Sequence, residues 1–236
     1  MEEIMKLKET DPELYEIFTQ FAGHEVPEAP GAALPASDRY LAILAVLIGC
    51  QGKDLFGRMI PEALANGLSP VQIREAVYQS VDYLGMGRAY PFIRKMNKAF
   101  EKAGIVLPLP EQKTVNAENR LEKGVDLQAE IFGEQMREAW KASDISRWLG
   151  DNCFGDFYTR NGLSLSEREL ITFCFLMGQG DTAPQMIGHA KGNFNIGNDE
   201  DFMIRVVDQC VPYIGYPRSL NAIAAIRKAA EEVRNA

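Results

Sequence analysis

Three side chains of types that enzymes use for proton transfer or nucleophilic attack lie within residues 166–190, SERELITFCFLMGQGDTAPQMIGHA. They are the carboxylate of Glu169, the thiol of Cys174 and the imidazole of His189, one of only two histidines in the chain. A carboxylate that accepts a hydrogen bond from one imidazole nitrogen fixes the tautomer and raises the basicity of the other nitrogen. Such a pair suits a proton donor or acceptor that works near neutral pH.

Glu169 and His189 also have a purely structural interpretation. Ser166 followed by Glu169 has the spacing of a capping box, in which the glutamate accepts a hydrogen bond from the N-cap amide and complements the helix dipole. His189 could be a hydrogen-bonded histidine at a helix interface. The residue types alone leave both alternatives open.

The positions of two glycines predict that the carboxylate and the imidazole face each other. Glu169 lies nine residues before Gly178, and His189 lies nine residues after Gly180. Two antiparallel helices that turn at these glycines would place each side chain about 13 Å from the turn, at a rise of about 1.5 Å per residue. The spacing therefore predicts contact across a helical hairpin.

Tyr158 and Arg160 precede the predicted core helix on what the sequence indicates is a short loop. If the substrate is anionic, Arg160 supplies a cation that binds a carboxylate through two hydrogen bonds. We therefore predict both as substrate-binding residues, with plain surface placement as the alternative. Arg168 and Arg218 are weaker candidates for the same contact, since arginines at helix ends are usually solvated.

The charge and hydropathy of the chain exclude several classes of partner. The formal net charge is −8 and the Lys and Arg residues form no cluster, which argues against nucleic acid and anionic membranes. The longest apolar run, LAILAVLIGC from Leu41, is shorter than the ~20 residues that span a bilayer. The charged N-terminal segment resembles neither a signal nor a transit peptide. We expect a cytoplasmic protein.

The four cysteines are far apart in the sequence and form no C-x-x-C pair, and no histidine lies at metal-ligand spacing from them. In a reducing compartment the simplest interpretation is that they are buried small hydrophobic residues. The sequence therefore predicts no metal site.

Almost every segment has helical periodicity, which predicts an all-α fold. The helix in SPVQIREAVYQSVDYLG starts at the N-cap Ser69 and has a capping box with Gln72. Residues 105–125 contain prolines and a polar stretch typical of a connection. We therefore predict an N-terminal helix and first repeat over 1–104, a linker over 105–125, and a second repeat over 126–236.

The chain repeats itself on either side of this linker. YLGMGRAYPFIRKMNKAFEKAG from Tyr83 aligns with YIGYPRSLNAIAAIRKAAEEV from Tyr213, and DRYLAILAVLIG from Asp38 aligns with ERELITFCFLMG from Glu167. One extra residue in the second hairpin keeps the alignment in register. The pattern predicts a tandem duplication of a four-helix unit.

Four elements follow one another in the second repeat: an apolar helix that contains REL, a glycine turn, a His-Gly-amphipathic helix and a Y-x-G element. This order resembles the carboxymuconolactone decarboxylase family, which includes the alkylhydroperoxidase D-like proteins. The preceding segment FGDFYTRNGLSLSEREL, residues 154–170, is similar to the segment before the core helix in gamma-carboxymuconolactone decarboxylases. The resemblance covers residues 38–104 weakly and residues 154–233 more clearly.

Three differences from the family pattern affect the expected chemistry. The peroxidase branch has a C-x-x-C at the hairpin turn, where this chain has Asp181 and Pro184, so peroxide reduction lacks its thiol pair. In the first repeat, Tyr40 and Met59 occupy the Glu and His positions, which indicates a structural role for that copy. The decarboxylases often lack a carboxylate at the Glu169 position.

The resemblance implies decarboxylation of a small anionic organic substrate, with His189 as general acid oriented by Glu169 and with no cofactor. Decarboxylation needs a cation that orients the substrate, an apolar pocket and a proton donor. The candidates are Arg160 for the cation, the helix faces for the pocket and His189 for the donor. A catalytically silent binding or assembly protein is the second hypothesis. A thiol-dependent antioxidant protein that relies on Cys174 or Cys50 is the third.

The apolar runs LAILAVLIG and LITFCFLMG contain more apolar positions than one four-helix layer covers easily. This excess predicts a further buried face against another subunit. The resemblance implies rings of six repeats, and three copies of a two-repeat chain supply six. We therefore expect a homotrimer.

Overall fold

The computed structural model describes residues 7–235, and every regular element in this range is helical. The first repeat has four helices: α2 Ala36–Gly49, α3 Lys53–Ala65, α4 Pro70–Leu84 and α5 Met86–Lys102. The second repeat has the matching helices α8 Leu165–Gln179, α9 Ala183–Asn195, α10 Glu200–Ile214 and α11 Tyr216–Arg234. The all-α fold and the tandem duplication are confirmed.

Each repeat is preceded by further helical segments. Before the first lie α1 Pro12–Gln20, a π-helical segment Phe21–Glu25 and the short turn Val26–Glu28. Before the second lie α6 Arg120–Phe132, a 3₁₀ segment Glu134–Ala142, α7 Asp144–Trp148 and a π-helical segment Leu149–Tyr158. Helix α6 begins inside the predicted linker, and the predicted division into domains stays a prediction. No helix within residues 7–235 is both long and apolar enough to span a bilayer.

A capping box starts α8, but not the one that the sequence analysis gave as the structural alternative for Glu169. The hydroxyl of Ser164 accepts a hydrogen bond from the Glu167 amide at 3.2 Å, and the Glu167 carboxylate accepts one from the Ser164 amide at 2.7 Å. The predicted pair Ser166 and Glu169 is wrong, because extended backbone at Ser164 starts the helix two residues earlier. Glu169 is therefore inside the helix and can point into the protein.

Helices α2 and α8 cross at the centre of the molecule with their glycines in contact. A Cβ atom on Gly49 would lie 2.6 Å from the Phe175 carbonyl oxygen, and one on Gly178 would lie 2.6 Å from the Val46 carbonyl oxygen. Residues 40–49 and 168–178 are all buried, as expected for helices whose apolar residues are not confined to one face. The expectation that these runs need another subunit for their burial is wrong, because each repeat covers the other.

Reciprocal hydrogen bonds join the two repeats. Arg39 Nε donates to Gln209 Oε1 at 2.7 Å, and Arg168 Nη1 donates to Gln79 Oε1 at 2.8 Å. Arg39 and Arg168 occupy equivalent positions in α2 and α8, and the two glutamines occupy equivalent positions in α4 and α10. The first helix of each repeat is thus bound to the third helix of the other.

Candidate active site

The structure brings Glu169 and His189 together. Glu169 Oε2 lies 2.8 Å from His189 Nδ1, across the hairpin that α8 and α9 form. The Glu169 carboxylate is fully buried, whereas the His189 side chain keeps 15% of its surface exposed. When Nδ1 donates its proton to the carboxylate, Nε2 is the nitrogen that remains for chemistry.

Two residues of α9 that the sequence analysis did not identify set the position of this pair. Asn193 Nδ2 donates to the backbone carbonyls of Glu169, at 3.1 Å, and of His189, at 2.8 Å. A Cβ atom at Gly192 would lie 2.8 Å from Glu169 Oε2 and 2.8 Å from a ring carbon of Phe132. A glycine at position 192 therefore lets α9 approach the carboxylate closely.

Hydroxyl groups surround the other oxygen of Glu169. Tyr158 donates to Glu169 Oε1 at 2.7 Å, and its hydroxyl also lies 2.8 Å from the Tyr83 hydroxyl and 2.5 Å from Thr172 Oγ1. Burial, and then the Glu169 charge, raise the pKa of Tyr158 well above its ordinary value. Burial also raises the pKa of Tyr83 well above its ordinary value, with smaller contributions from Cys153 and Glu169. Both hydroxyls therefore stay protonated and can donate.

Tyr83 comes from α4, so the first repeat contributes a residue to the site of the second. Its ring centroid lies 5.6 Å from that of His189 at an interplanar angle of 78°. Phe132 from α6 lies 5.3 Å from the imidazole at 85°. The imidazole is therefore in edge contact with two aromatic rings, and neither ring could be assigned to the site from its local sequence.

A half-buried aspartate, Asp82, whose Oδ2 atom is enclosed, and the thiol of Cys153 extend this polar group. Cys153 Sγ lies 3.9 Å from the Tyr83 hydroxyl, and burial raises the pKa of Cys153 well above its ordinary value. Burial raises the pKa of Asp82 to about 8, with Asp156 adding to the shift and Cys153 opposing it. Perturbed carboxyl groups of this kind are concentrated at functional sites. Asp82 was missed because it lies among the apolar residues of an amphipathic helix.

Arg160 lies in a different group of charges. Its Nε and Nη2 atoms donate to the two carboxylate oxygens of the fully buried Glu75, at 2.7 and 3.0 Å. The predicted short loop is wrong for Tyr158, which ends a π-helical segment and is buried. Tyr158 is beside His189 and Glu169 as a hydrogen-bond donor to the carboxylate, whereas the guanidinium of Arg160 binds another carboxylate.

The thiols are poorly placed for nucleophilic chemistry. Cys153, Cys174 and Cys210 are buried as predicted, and Cys50 is partly exposed. Burial raises the pKa of Cys50, and a hydrogen bond with Cys174 followed by burial raises that of Cys210. A reactive thiol needs the opposite shift. At the hairpin turn, Asp181 stands where the peroxidase branch has a cysteine, and its φ is 56°.

A family model described as "Carboxymuconolactone decarboxylase family" matches residues 12–93 and again residues 143–228. Each matched range contains three complete helices of one repeat, part of the fourth, and helical residues that directly precede the repeat. No curated protein sequence matches the chain.

Proposed function

We propose that this chain, which belongs to the carboxymuconolactone decarboxylase family as its sequence predicted, is a carboxy-lyase of the 4-carboxymuconolactone decarboxylase type. In this proposal His189 is the general acid and Glu169 orients it. The observation that carries the proposal is the 2.8 Å contact between a fully buried carboxylate and an imidazole that is still reachable from solvent.

The reaction requires an electron acceptor and a donor of one proton. As the carboxylate of an unsaturated lactone acid leaves as carbon dioxide, its electron pair moves through the conjugated system onto the lactone carbonyl oxygen. The pair then returns to carbon, which takes a proton from His189 Nε2. Glu169 stabilises the imidazolium before this transfer, and a proton from solvent restores it afterwards.

The surroundings of His189 support this order of events. The hydrogen bond from Tyr158 and the one from His189 engage different oxygens of Glu169, so the carboxylate is held from both sides. The rings of Phe132 and Tyr83, both T-shaped to the imidazole, give an apolar wall, and such a wall favours neutral carbon dioxide over a carboxylate. Tyr158 thus has the role of positioning Glu169.

The proposal also includes the predicted homotrimer, which has support in surface residues. Two pairs of exposed apolar residues recur at equivalent positions of the two repeats. The first pair is Leu14 and Ile17 on α1, which recurs as Ile145 and Trp148 on α7. The second pair is Met86 and Tyr90 at the start of α5, which recurs as Tyr216 and Leu220 at the start of α11. A contact that uses the same patch of both repeats would close a ring of six repeats from three chains.

The test is release of carbon dioxide from gamma-carboxymuconolactone by wild type and by His189→Ala. Met59→Ala is a matched control, because Met59 occupies the equivalent position in the first repeat. We expect release by wild type and by the control, and loss in His189→Ala. Unchanged release in His189→Ala would exclude the imidazole as the acid. A folded wild type that releases none would exclude this substrate and favour a binding or assembly role.

A further inference from the structure

Three arginines from different parts of the chain surround one buried carboxylate. Arg160 makes the two contacts with Glu75 described above, at 2.7 and 3.0 Å. Arg74 Nη2 lies 3.2 Å from Glu75 Oε1, and Arg168 Nη2 lies 3.5 Å from Glu75 Oε2. The cluster therefore contains three positive charges against a single negative one.

This excess charge is shielded from water. The side chains of Arg74, Arg160 and Arg168 keep 8%, 15% and 1% of their surface exposed, and that of Glu75 keeps none. Burial of a charge is costly unless an opposite charge or a full set of hydrogen bonds compensates for it. The one carboxylate leaves two of the three charges without a counter-ion inside the cluster.

The remaining donors of the cluster are only partly used, and their other partners are neutral. Arg74 donates to the carbonyl oxygens of Leu109 and Pro110, at 3.1 and 2.8 Å. Arg168 donates to neutral groups as well, among them the Arg160 carbonyl at 2.7 Å. The Nε atoms of Arg74 and Arg168 are buried and have no hydrogen-bond partner within the described part of the chain. Arg74 as a residue is only 6% exposed.

Arg74 and Arg160 line a cavity of about 560 Å³ whose wall includes the segment that follows α5. The ring of Tyr78 lies beneath both guanidinium groups. Its centroid is 5.5 Å from the Cζ atom of Arg74 and 5.4 Å from the Cζ atom of Arg160. Lys113 adds a third cation to the lining and Glu111 one carboxylate. The polar side of the cavity therefore favours an anion of low charge.

Apolar residues also line the cavity. Met96 and Phe100 of α5 lie beneath its surface, 1% and 0% exposed, whereas the half-buried Leu107 and Leu109 of the following segment keep accessible surface. Glu75 engages Nε and Nη2 of Arg160 and leaves Nη1 as the donor for a ligand. A charged N–H group binds a carboxylate strongly, and an apolar wall favours a carbon skeleton over water. Neither His189 nor Glu169 belongs to this lining, so the cavity is separate from the site proposed for decarboxylation.

We propose that this cavity is a second binding site, which takes a small organic monocarboxylate with its carboxylate on Arg74 and Arg160 and its apolar body against Leu107 and Leu109. The ligand supplies the negative charge that the cluster of Arg74, Arg160, Arg168 and Glu75 lacks. The proposal does not depend on whether the protein is a decarboxylase.

Benzoate is a suitable probe, and the methyl group of Met96 is a reporter in the wall of the cavity. In full-length protein labelled with ¹³C at the methionine methyls, we expect benzoate up to about 10 mM to shift the Met96 signal in a saturable way. The Met59 and Met203 signals should stay in place, since neither residue lines the cavity. No shift at Met96, or a larger shift at the other two, would overturn the proposal.

Two variants locate the binding contact. Arg160→Lys keeps the charge but removes Nη1, the guanidinium nitrogen that Glu75 does not engage, and it should weaken benzoate binding about tenfold. Asn97→Phe leaves every arginine in place but fills the cavity from α5, so it should abolish the Met96 shift in a protein whose circular dichroism is unchanged. Binding that survives Asn97→Phe would refute the location.

Two further measurements separate this proposal from its alternatives. Inorganic phosphate that displaces benzoate with equal or higher affinity would show a site for inorganic anions and overturn the choice of an organic carboxylate. His189→Ala should bind benzoate at the Met96 cavity as wild type does, whether or not it releases carbon dioxide. Loss of binding in His189→Ala would place the benzoate at the decarboxylation site instead and so refute the separate site.

Discussion

Replacement of Asp82 by asparagine should change how the stability of the protein depends on pH. Burial raises the pKa of this carboxyl from 3.8 to about 8 in the folded state, and its Oδ2 atom has no hydrogen-bond partner within the described residues. Between these two values the folded protein holds a proton that the unfolded chain has released. The free energy of unfolding therefore falls as pH rises through this window, and the contribution is constant below and above it.

The size of the effect follows from the two pKa values. One proton difference changes the free energy of unfolding by about 1.36 kcal/mol per pH unit. Over the three units from pH 4.5 to 7.5 the limit is about 4 kcal/mol, and local relaxation around the carboxylate reduces it, so we expect about 2 to 4 kcal/mol. Asparagine does not titrate, and Asp82→Asn should therefore gain this amount relative to wild type across the same range.

Urea unfolding of both proteins at intervals between pH 4.5 and 7.5 measures this gain directly. The difference in unfolding free energy between Asp82→Asn and wild type should grow steadily with pH. Asp181→Asn at the exposed hairpin turn controls for the loss of one negative charge and should run parallel to wild type. Parallel curves for Asp82→Asn as well would refute the argument, because they would mean that this carboxyl is ionised in the folded protein.

Three further predictions concern the site, the central crossing and the assembly. Tyr158→Phe removes a hydrogen bond to the Glu169 carboxylate and should lower carbon dioxide release about tenfold while the protein stays folded; unchanged release would remove Tyr158 from the mechanism. Gly178→Ala puts a methyl group 2.6 Å from the Val46 carbonyl and should cost about 1–3 kcal/mol in chemical unfolding; a neutral effect would show that the helices can separate easily. Light scattering should give a trimer for wild type and smaller species for Leu220→Glu, whereas a wild-type monomer would contradict the predicted assembly.

Features that depend on short-range spacing could be predicted from the sequence. The helix that starts at Ser69 has the predicted capping box, with the Gln72 amide donating to the serine hydroxyl at 3.2 Å. The contact of Glu169 and His189 followed from equal distances to the hairpin turn. The repeat also followed from local matches, because equivalent helices need the same residues in the same order.

Features that depend on distant parts of the chain could not be predicted in this way. Ser164 and Ser166 are each followed three residues later by a glutamate, so spacing alone could not decide which serine starts the helix. Arg160 was expected to be free because its partner Glu75 lies 85 residues away on a helix that appeared merely amphipathic. Tyr83 shows the same limit, since only the packing of α4 against the second repeat brings it to His189.

The reciprocal bonds of Arg39 with Gln209 and of Arg168 with Gln79 are those of an isologous interface, in which the same patch serves both partners. The chain thus has the arrangement of a twofold dimer whose subunits have become one polypeptide, so that this contact no longer depends on protein concentration. A gene for identical subunits must keep every position of both copies the same. Once the copies are joined, each can diverge separately. The first repeat, which has Tyr40 and Met59 where the second has Glu169 and His189, can then serve as a scaffold that supplies Tyr83 to the other.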